Sequence, residues 1–264
     1  MRGAPHPRQI AFSAGICFLS ALTACELAIK TNDLEGGCPR GLAGPSLVKV
    51  ESASGPYCID STEVTNGQYE AFVNAQGSVT PHIPFDGCLG VTSLLPDMPL
   101  PGAGNEDFPK GRVSWCQAQA YCAWAGKRLC GKVGGGPIVD SLLNNAKFAQ
   151  WFNACSSGGT RNFPYGMNYD PNKCVGPPAD GGRLGPTPAG SNRACEGGFP
   201  GIFDMSGNLW EFVDNCNGPT AANACTACGG GFDAPPDQFG CSFCRTWGRT
   251  AFATDIGFRC CKDL

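Results

Sequence analysis

The chain has 264 residues, with 38 glycines, 22 prolines, only 16% charged residues and a net charge of −3. That composition suggests a loop-rich fold with few long helices, in one large domain or two small ones. It carries no basic footprint, which excludes a binder of nucleic acid or anionic lipid that works by bulk charge.

Arg2 and Arg8 precede an apolar run, Ile10 to Ala21, that is too short to anchor across a bilayer. Leu22-Thr23-Ala24-Cys25 follows in the pattern of a bacterial lipobox. Residues 1–24 are therefore expected to be a cleaved lipoprotein signal peptide, with Cys25 as the lipidated terminus. An ordinary signal peptide with an incidental cysteine is the alternative. The expected location is the bacterial cell envelope, lipid-anchored, either periplasmic or on the outer surface. Of 18 cysteines, Cys17 leaves with the signal and Cys25 carries lipid, so sixteen remain. An even number in an exporting context reads as disulfides. Each bridge is worth about 2–4 kcal/mol, so such a domain needs less regular secondary structure.

Residues 25–45 mix Gly, Pro and charge without periodicity and read as a tether. Leu47-Val48-Lys49-Val50 and Tyr57-Cys58-Ile59-Asp60 read as paired strands. Thr65 and Gln68 fit a capping box that opens a helix, with Tyr69, Phe72 and Val73 on one face and Gly77 as the stop. Residues 78–111 read as a long loop tied down through Cys88. Ser114 and Gln117 make a second capping box, followed by the buried stripe Trp115, Ala118, Cys122 and Ala125 and a stop at Gly126. A third helix is expected over about 140–154, with Leu143, Phe148, Trp151 and Phe152 in the core. From Cys155 onward the chain reads as loops and short strands, with late strands at Gly229–Phe232 and Ile256–Cys260. Nothing after residue 46 resembles a linker, so residues 46–264 are expected to form a single domain.

Within the last third lies Gly201-Ile202-Phe203-Asp204-Met205-Ser206-Gly207-Asn208-Leu209-Trp210-Glu211-Phe212. Asp204 and Glu211 bracket Gly207, so two carboxylates can converge on a tight turn whose carbonyls also point inward. Oxygen donors of this kind suit a hard cation such as calcium. The competing reading is a turn into a core strand, with Trp210 and Phe212 buried and the acids solvated.

Taken in order, six segments resemble the formylglycine-generating enzyme, or sulfatase-modifying factor, family. They are 58–69 with Phe72-Val73, 113–129, Phe163-Pro164-Tyr165-Gly166, 201–212, Gly229-Gly230-Gly231-Phe232 and Gly257-Phe258-Arg259-Cys260. The resemblance implies an α+β, C-type-lectin-like fold, loop-rich and disulfide-stapled, over roughly residues 46–262. It implies structural calcium held by the Asp204 and Glu211 carboxylates and the Gly207 and Leu209 carbonyls, with Asp204 standing where the family enzyme has Asn. A second family calcium site near 172–183 does not align uniquely and is not assigned. The resemblance also implies the disulfide Cys122–Cys260 and, less directly, Cys155–Cys244. Cys38–Cys58 and Cys174–Cys195 are expected from proximity in the chain alone. Lys127, Arg128 and Arg259 are expected in internal ion pairs.

The family's oxidase converts a sulfatase cysteine to formylglycine with copper held by a C-x4-C thiolate pair, and soft thiolates suit copper(I). Here the first thiolate position falls near Ala234, before Pro235-Pro236, and the nearest cysteines, Cys241 and Cys244, are spaced C-x2-C. They are the weak catalytic candidates; otherwise no catalytic residue is assigned. A non-haem iron site needs more histidine than His82 provides, because His6 leaves with the signal. Cys225-x2-Cys228 and Cys241-x2-Cys244 suit a zinc ribbon by spacing, but an oxidising compartment favours disulfides. Trp115, Trp124, Trp151 and Trp210 are expected in the core.

The expected function is that of an envelope-tethered lipoprotein whose domain is non-catalytic, a calcium-braced module that binds a protein or glycan or serves structurally. A copper-dependent formylglycine-generating oxidase acting on exported sulfatases is the alternative. The enzyme question leans to no, and no nucleic-acid partner is expected.

Overall fold

A hairpin begins the first sheet. Strands β1 (Leu47–Val50) and β2 (Tyr57–Asp60) pair antiparallel, with Leu47 opposite Asp60 and Val50 opposite Tyr57. The turn between them closes through the Gly55 N–H on the Ser52 carbonyl, with Gly55 at φ +119°, a value that glycine adopts without strain. These details belong to a computed structural model that describes residues 37–76, 87–91, 93–95, 104–177 and 185–264. The signal and lipobox with Cys17 and Cys25, both histidines and part of the unassigned 172–183 segment lie outside the described residues.

Helix α1 (Asn66–Gln76) starts at the expected box: the Thr65 N–H donates to Gln68 Oε1, and the Gln68 N–H donates to Thr65 Oγ1. Helix α2 (Trp115–Trp124) repeats the device with Ser114 and Gln117. It ends in a Schellman motif. The Lys127 N–H reaches the Cys122 carbonyl, the Gly126 N–H reaches that of Ala123, and Gly126 sits at φ +71°. Tyr69 and Phe72 of α1 meet Tyr121 and Trp124 of α2 at ring separations of 5.3–5.8 Å, and Phe258 completes the cluster. Such pairs contribute roughly 0.5–1.5 kcal/mol each beyond burial.

The expected third helix is broken. Asp140–Leu142 forms a single 3₁₀ turn, and only α3 (Gln150–Cys155) is α-helical. Between them the backbone bonds to the loop ahead of it: the Val133 N–H reaches the Phe148 carbonyl, and the Gln150 N–H reaches Gly131. A backbone group taken by a neighbouring segment is lost to a helix. Trp151 is buried as expected, while Leu143 and Phe152 pack from the edge.

The first sheet is completed by two further strands, β3 (Arg128–Leu129) and β8 (Cys260–Asp263), in the order β1-β2-β8-β3, antiparallel throughout. The second sheet has the order β6-β5-β4-β7, formed by β4 (Trp210–Cys216), β5 (Ala224–Cys228), β6 (Cys244–Gly248) and β7 (Ile256–Phe258). Its β4–β7 pair is parallel and the rest antiparallel. The expected late strand at 256–260 thus divides at Arg259, where the chain leaves one sheet for the other. Residues 229–232 are a loop, not a strand, because Gly229 and Gly230 take φ +96° and +78°. A Cβ on Gly229 would come within 2.8 Å of the Met205 carbonyl.

Cys38–Leu264 forms one compact unit, which begins before the expected boundary at 46. Cys38 bonds to Cys58, and the Pro45 carbonyl accepts from Lys127, so residues 38–45 belong to the body. Among the described residues sixteen cysteines form eight disulfides: 38–58, 88–116, 122–260, 130–261, 155–241, 174–195, 216–225 and 228–244. Cys155 pairs with Cys241 and not with Cys244, as had been expected. The correction has a simple cause: Cys244 lies directly opposite Cys228 in the β5–β6 ladder and is taken by it. The eight bridges place the chain in an oxidising, extracytoplasmic setting. No helix among the described residues is long and apolar enough to cross a membrane.

Cys122–Cys260 and Cys130–Cys261 close the same long loop side by side, so each makes the other's loop short. Removing either pair by Cys→Ala should cost about 2–3 kcal/mol, while removing both should cost about 1–2 kcal/mol more than the two separate losses combined. Denaturant unfolding of the three variants measures this, and simple additivity would contradict it.

Candidate functional site

The stretch 201–212 becomes a hub because four of its residues take the left-handed conformation: Gly201 (φ +84°), Asp204 (φ +58°), Gly207 (φ +71°) and Asn208 (φ +59°). Asp and Asn tolerate that region better than other side chains. Gly207 is required for a second reason, since a Cβ there would lie 2.1 Å from the Val175 carbonyl. The turn is bonded on every side. Gly207 N–H donates to the Gly229 carbonyl, Asn208 N–H to Val175, Phe232 N–H to Asn208 and Trp210 N–H to Asp255.

Beneath it lies a buried cluster of charge. Arg259 donates through Nε to Glu211 Oε2 and through Nη2 to Glu211 Oε1, both at 2.7 Å. Its remaining hydrogens reach the Asp60 carbonyl at 3.1 Å and the Phe203 carbonyl at 2.7 Å. The Trp151 indole donates to Glu211 Oε2 at 2.8 Å. A second buried pair adjoins the first: Lys127 Nζ donates to Asp60 Oδ1 at 2.6 Å, and the Cys260 N–H donates to Asp60 Oδ2. Arg128 pairs with Asp263 nearer the surface. All three cations expected in internal ion pairs are therefore paired.

Asp204 and Glu63 complete the cluster. Asp204 Oδ2 accepts the Gly190 N–H at 2.6 Å, and Glu63 Oε1 accepts the Asn208 amide at 3.0 Å. Their other oxygens, Asp204 Oδ1 and Glu63 Oε2, are buried without a partner. Burial lifts the Asp204 carboxyl to about 6, against the pull of the Gly190 N–H and Arg259. Burial, with Asp204 and Glu211 close by, pushes Glu63 well above the usual carboxylate range. Burial opposes the Arg259 charge, yet Glu211 more than restores it and raises the guanidinium above its ordinary value.

The four residues assigned to calcium thus occupy one turn and the head of β4. All-oxygen donors and orphaned buried carboxylate oxygens suit a hard cation at Asp204. Glu211, however, has both oxygens engaged by Arg259 and Trp151. Glu63 was missed as a site residue. It sits inside the 58–69 segment, where nothing but its charge between Thr62 and Val64 distinguished it.

The residues considered for catalysis and soft metals are elsewhere. Cys241 and Cys244 are both disulfide-bonded, to Cys155 and Cys228, so neither presents a thiolate. The zinc-ribbon quartet is dispersed likewise, with Cys225 bonded to Cys216 and Cys228 to Cys244. Ala234, at the place of the first thiolate, is buried and closes a turn onto the Gly231 carbonyl, ahead of the 3₁₀ segment that Pro235 caps and Pro236 opens. Trp115, Trp151 and Trp210 are core residues, and Trp124 is half-buried. Beside them β6 forms a sheet edge on which the exposed Arg245 lies over Trp210 and Trp247, at 5.6 and 5.2 Å from the ring centres.

Residues 44–264 match the family described as the sulfatase-modifying factor enzyme 1-like domain. A formylglycine-generating enzyme of Streptomyces coelicolor is 28% identical, over 61% of this chain and 58% of its own. An inactive C-alpha-formylglycine-generating enzyme 2 of Bos taurus is 30% identical, over 43% of this chain and 36% of its own. A formylglycine-generating enzyme of Bos taurus is 26% identical over 48% of its length, so this chain spans about half of the curated relatives it matches. Among solved structures, CarF aligns with a TM-score of 0.55 at 20% identity, covering 80% of this chain and 87% of its own. PvdO from Pseudomonas aeruginosa gives 0.55 at 21%, covering 87% and 88%. At these identities the two structures show the shared fold alone.

Two outcomes follow for the charge cluster. Glu211→Gln leaves Arg259 buried with half its partner and should cost about 3–5 kcal/mol in denaturant unfolding; a loss below 1 kcal/mol would contradict the pair's role. A carboxyl raised in the folded state binds its proton more tightly there than in the unfolded chain. Its contribution is complete below the unfolded value and is lost as pH rises through the folded one. With chelator present, the thermal midpoint should therefore fall as pH rises through about 6, the Asp204 value. A midpoint that climbs through that window contradicts the assignment.

Proposed function

The chain belongs to the sulfatase-modifying factor enzyme 1-like domain family, and from that premise we propose that it is a non-catalytic member, a disulfide-locked binding or structural module of the cell envelope. One observation carries the reading: Cys241 and Cys244, the first cysteines after the place of the family's copper pair, are closed into disulfides with partners on two different segments. A copper(I) site needs free thiolates, and none is offered there. The likeness to a relative named as inactive agrees with this. Calcium would brace the 201–212 turn, with Asp204 as its anchor, and the bridges would hold the loops that regular secondary structure leaves free.

In this reading the tether expected before the domain holds the module to the membrane through lipid on Cys25, facing the periplasm or the outside. Its ligand is a protein or a glycan of the envelope. The exposed β6 edge, with Arg245 stacked on two indoles, offers stacking and unpaired strand hydrogen bonds of the kind such a ligand would use.

The test is a mass-based count of free thiols in the purified protein, with copper analysis and turnover of a cysteine-containing sulfatase peptide. The expected result is no free thiol in the domain, no stoichiometric copper and no formylglycine. A free Cys241 and Cys244 pair that carries copper and converts the peptide would replace this proposal with the oxidase.

A further inference from the structure

Glu63, Asp204, Glu211 and Arg259 share the interior beneath the 201–212 turn, each at most 2% exposed. One guanidinium offsets one carboxylate, and the bidentate geometry assigns that carboxylate as Glu211. Glu63 and Asp204 are left without a salt-bridge partner among the described residues. Each has one oxygen fixed by a donor, Asn208 Nδ2 for Glu63 and Gly190 N–H for Asp204, and one oxygen bare. The Asn208 amide is itself fixed, since its Oδ1 accepts the Thr187 N–H. A buried ionised oxygen with no partner is costly. One oxygen held and the other free is how outer partners orient a carboxylate toward a metal.

We infer that Glu63 and Asp204 are the carboxylate pair of a calcium site, and that Arg259 keeps Glu211 out of the ligand set. The inference rests on the calcium reading above and alters its ligands. One divalent ion would balance both carboxylates when they ionise to bind it. Hard carboxylate oxygens select calcium or magnesium, and calcium's flexible coordination of six to eight oxygens tolerates a set completed by main-chain carbonyls, whereas magnesium demands near-ideal octahedral geometry. The Gly207 and Leu209 carbonyls, which the family resemblance assigns to calcium, would complete it. Among the described residues no group of three or more His, Cys, Asp or Glu side chains is arranged to hold a metal ion.

The experiment is calcium titration of the chelator-treated full chain by calorimetry and thermal unfolding, near neutral pH, for the wild type, Glu63→Gln and Asp204→Asn. The wild type should bind one calcium ion and gain thermal stability. Each variant should bind about tenfold or more weakly. Glu63→Gln keeps an oxygen for Asn208 and cannot ionise, so without calcium it should be at least as stable as the wild type. A residue needed only for packing would instead lower stability with and without the ion. Wild-type affinity in Glu63→Gln overturns the inference and returns the site to Glu211. In that case the Trp151 indole N–H, hydrogen-bonded to Glu211 in the structure, would shift in NMR spectra on calcium addition; under the present inference it stays put. A wild type that binds no calcium overturns the inference and the calcium reading together, while leaving the disulfide-based argument for a non-catalytic domain to its own thiol count.

Discussion

The fold turns on Arg259. It stands between β7 and β8, at the residue where the chain passes from the second sheet to the first. Its guanidinium holds Glu211 on β4, the carbonyl of Asp60 on β2 and the carbonyl of Phe203 ahead of the hub turn. One planar fork with five fixed donors can reach three segments at once, which a lysine could not. Because it is fully buried, each of those contacts is made in a medium where leaving one unmade is costly. The neighbouring Lys127–Asp60 pair then fixes the same end of β2 through its side chain and gathers residues 38–45 through the Pro45 carbonyl. Two buried cations thereby define how the two sheets meet.

Around that centre, covalent bonds take the place of regular structure. The strands are two to seven residues long and one helix has six residues, too little ladder to fix the loops by backbone hydrogen bonds alone. The disulfides add fixed points between segments: 88–116 ties Cys88 to α2, 174–195 holds the residues on either side of 178–184 together, and 155–241 joins α3 to the segment after β5. The same chemistry that stabilises this frame removes Cys241 and Cys244 from any soft-metal role. Stability and loss of thiolate function here share one cause.

Much of the scaffold was legible in the chain. The first hairpin, both capping boxes and the glycine stop after α2 depend on neighbours within a few residues, so their signals are local and complete. The 140–154 helix and the 229–232 strand misled for the opposite reason. Their residues suit regular elements, but Gly131 and Val133 capture the first segment's backbone, and the second must pass so close to Met205 and Trp210 that only glycine fits. The Cys155 partner misled similarly, because only two residues separate Cys241 from Cys244 and only strand register decides which one faces Cys228.

For the site, the sequence by itself determined the acids, the glycine and the asparagine of the hub turn, and hence that carboxylate oxygens would gather there. It also determined that the cysteines would pair and that the family's copper spacing was missing. Only the tertiary structure decided how the charges are shared. Arg259 lies 48 residues beyond Glu211, and Glu63 lies 145 residues before Asn208, so no spacing rule connects them. Which carboxylate an arginine claims is settled by distance and direction in a water-free interior, and those exist only once both sheets have met.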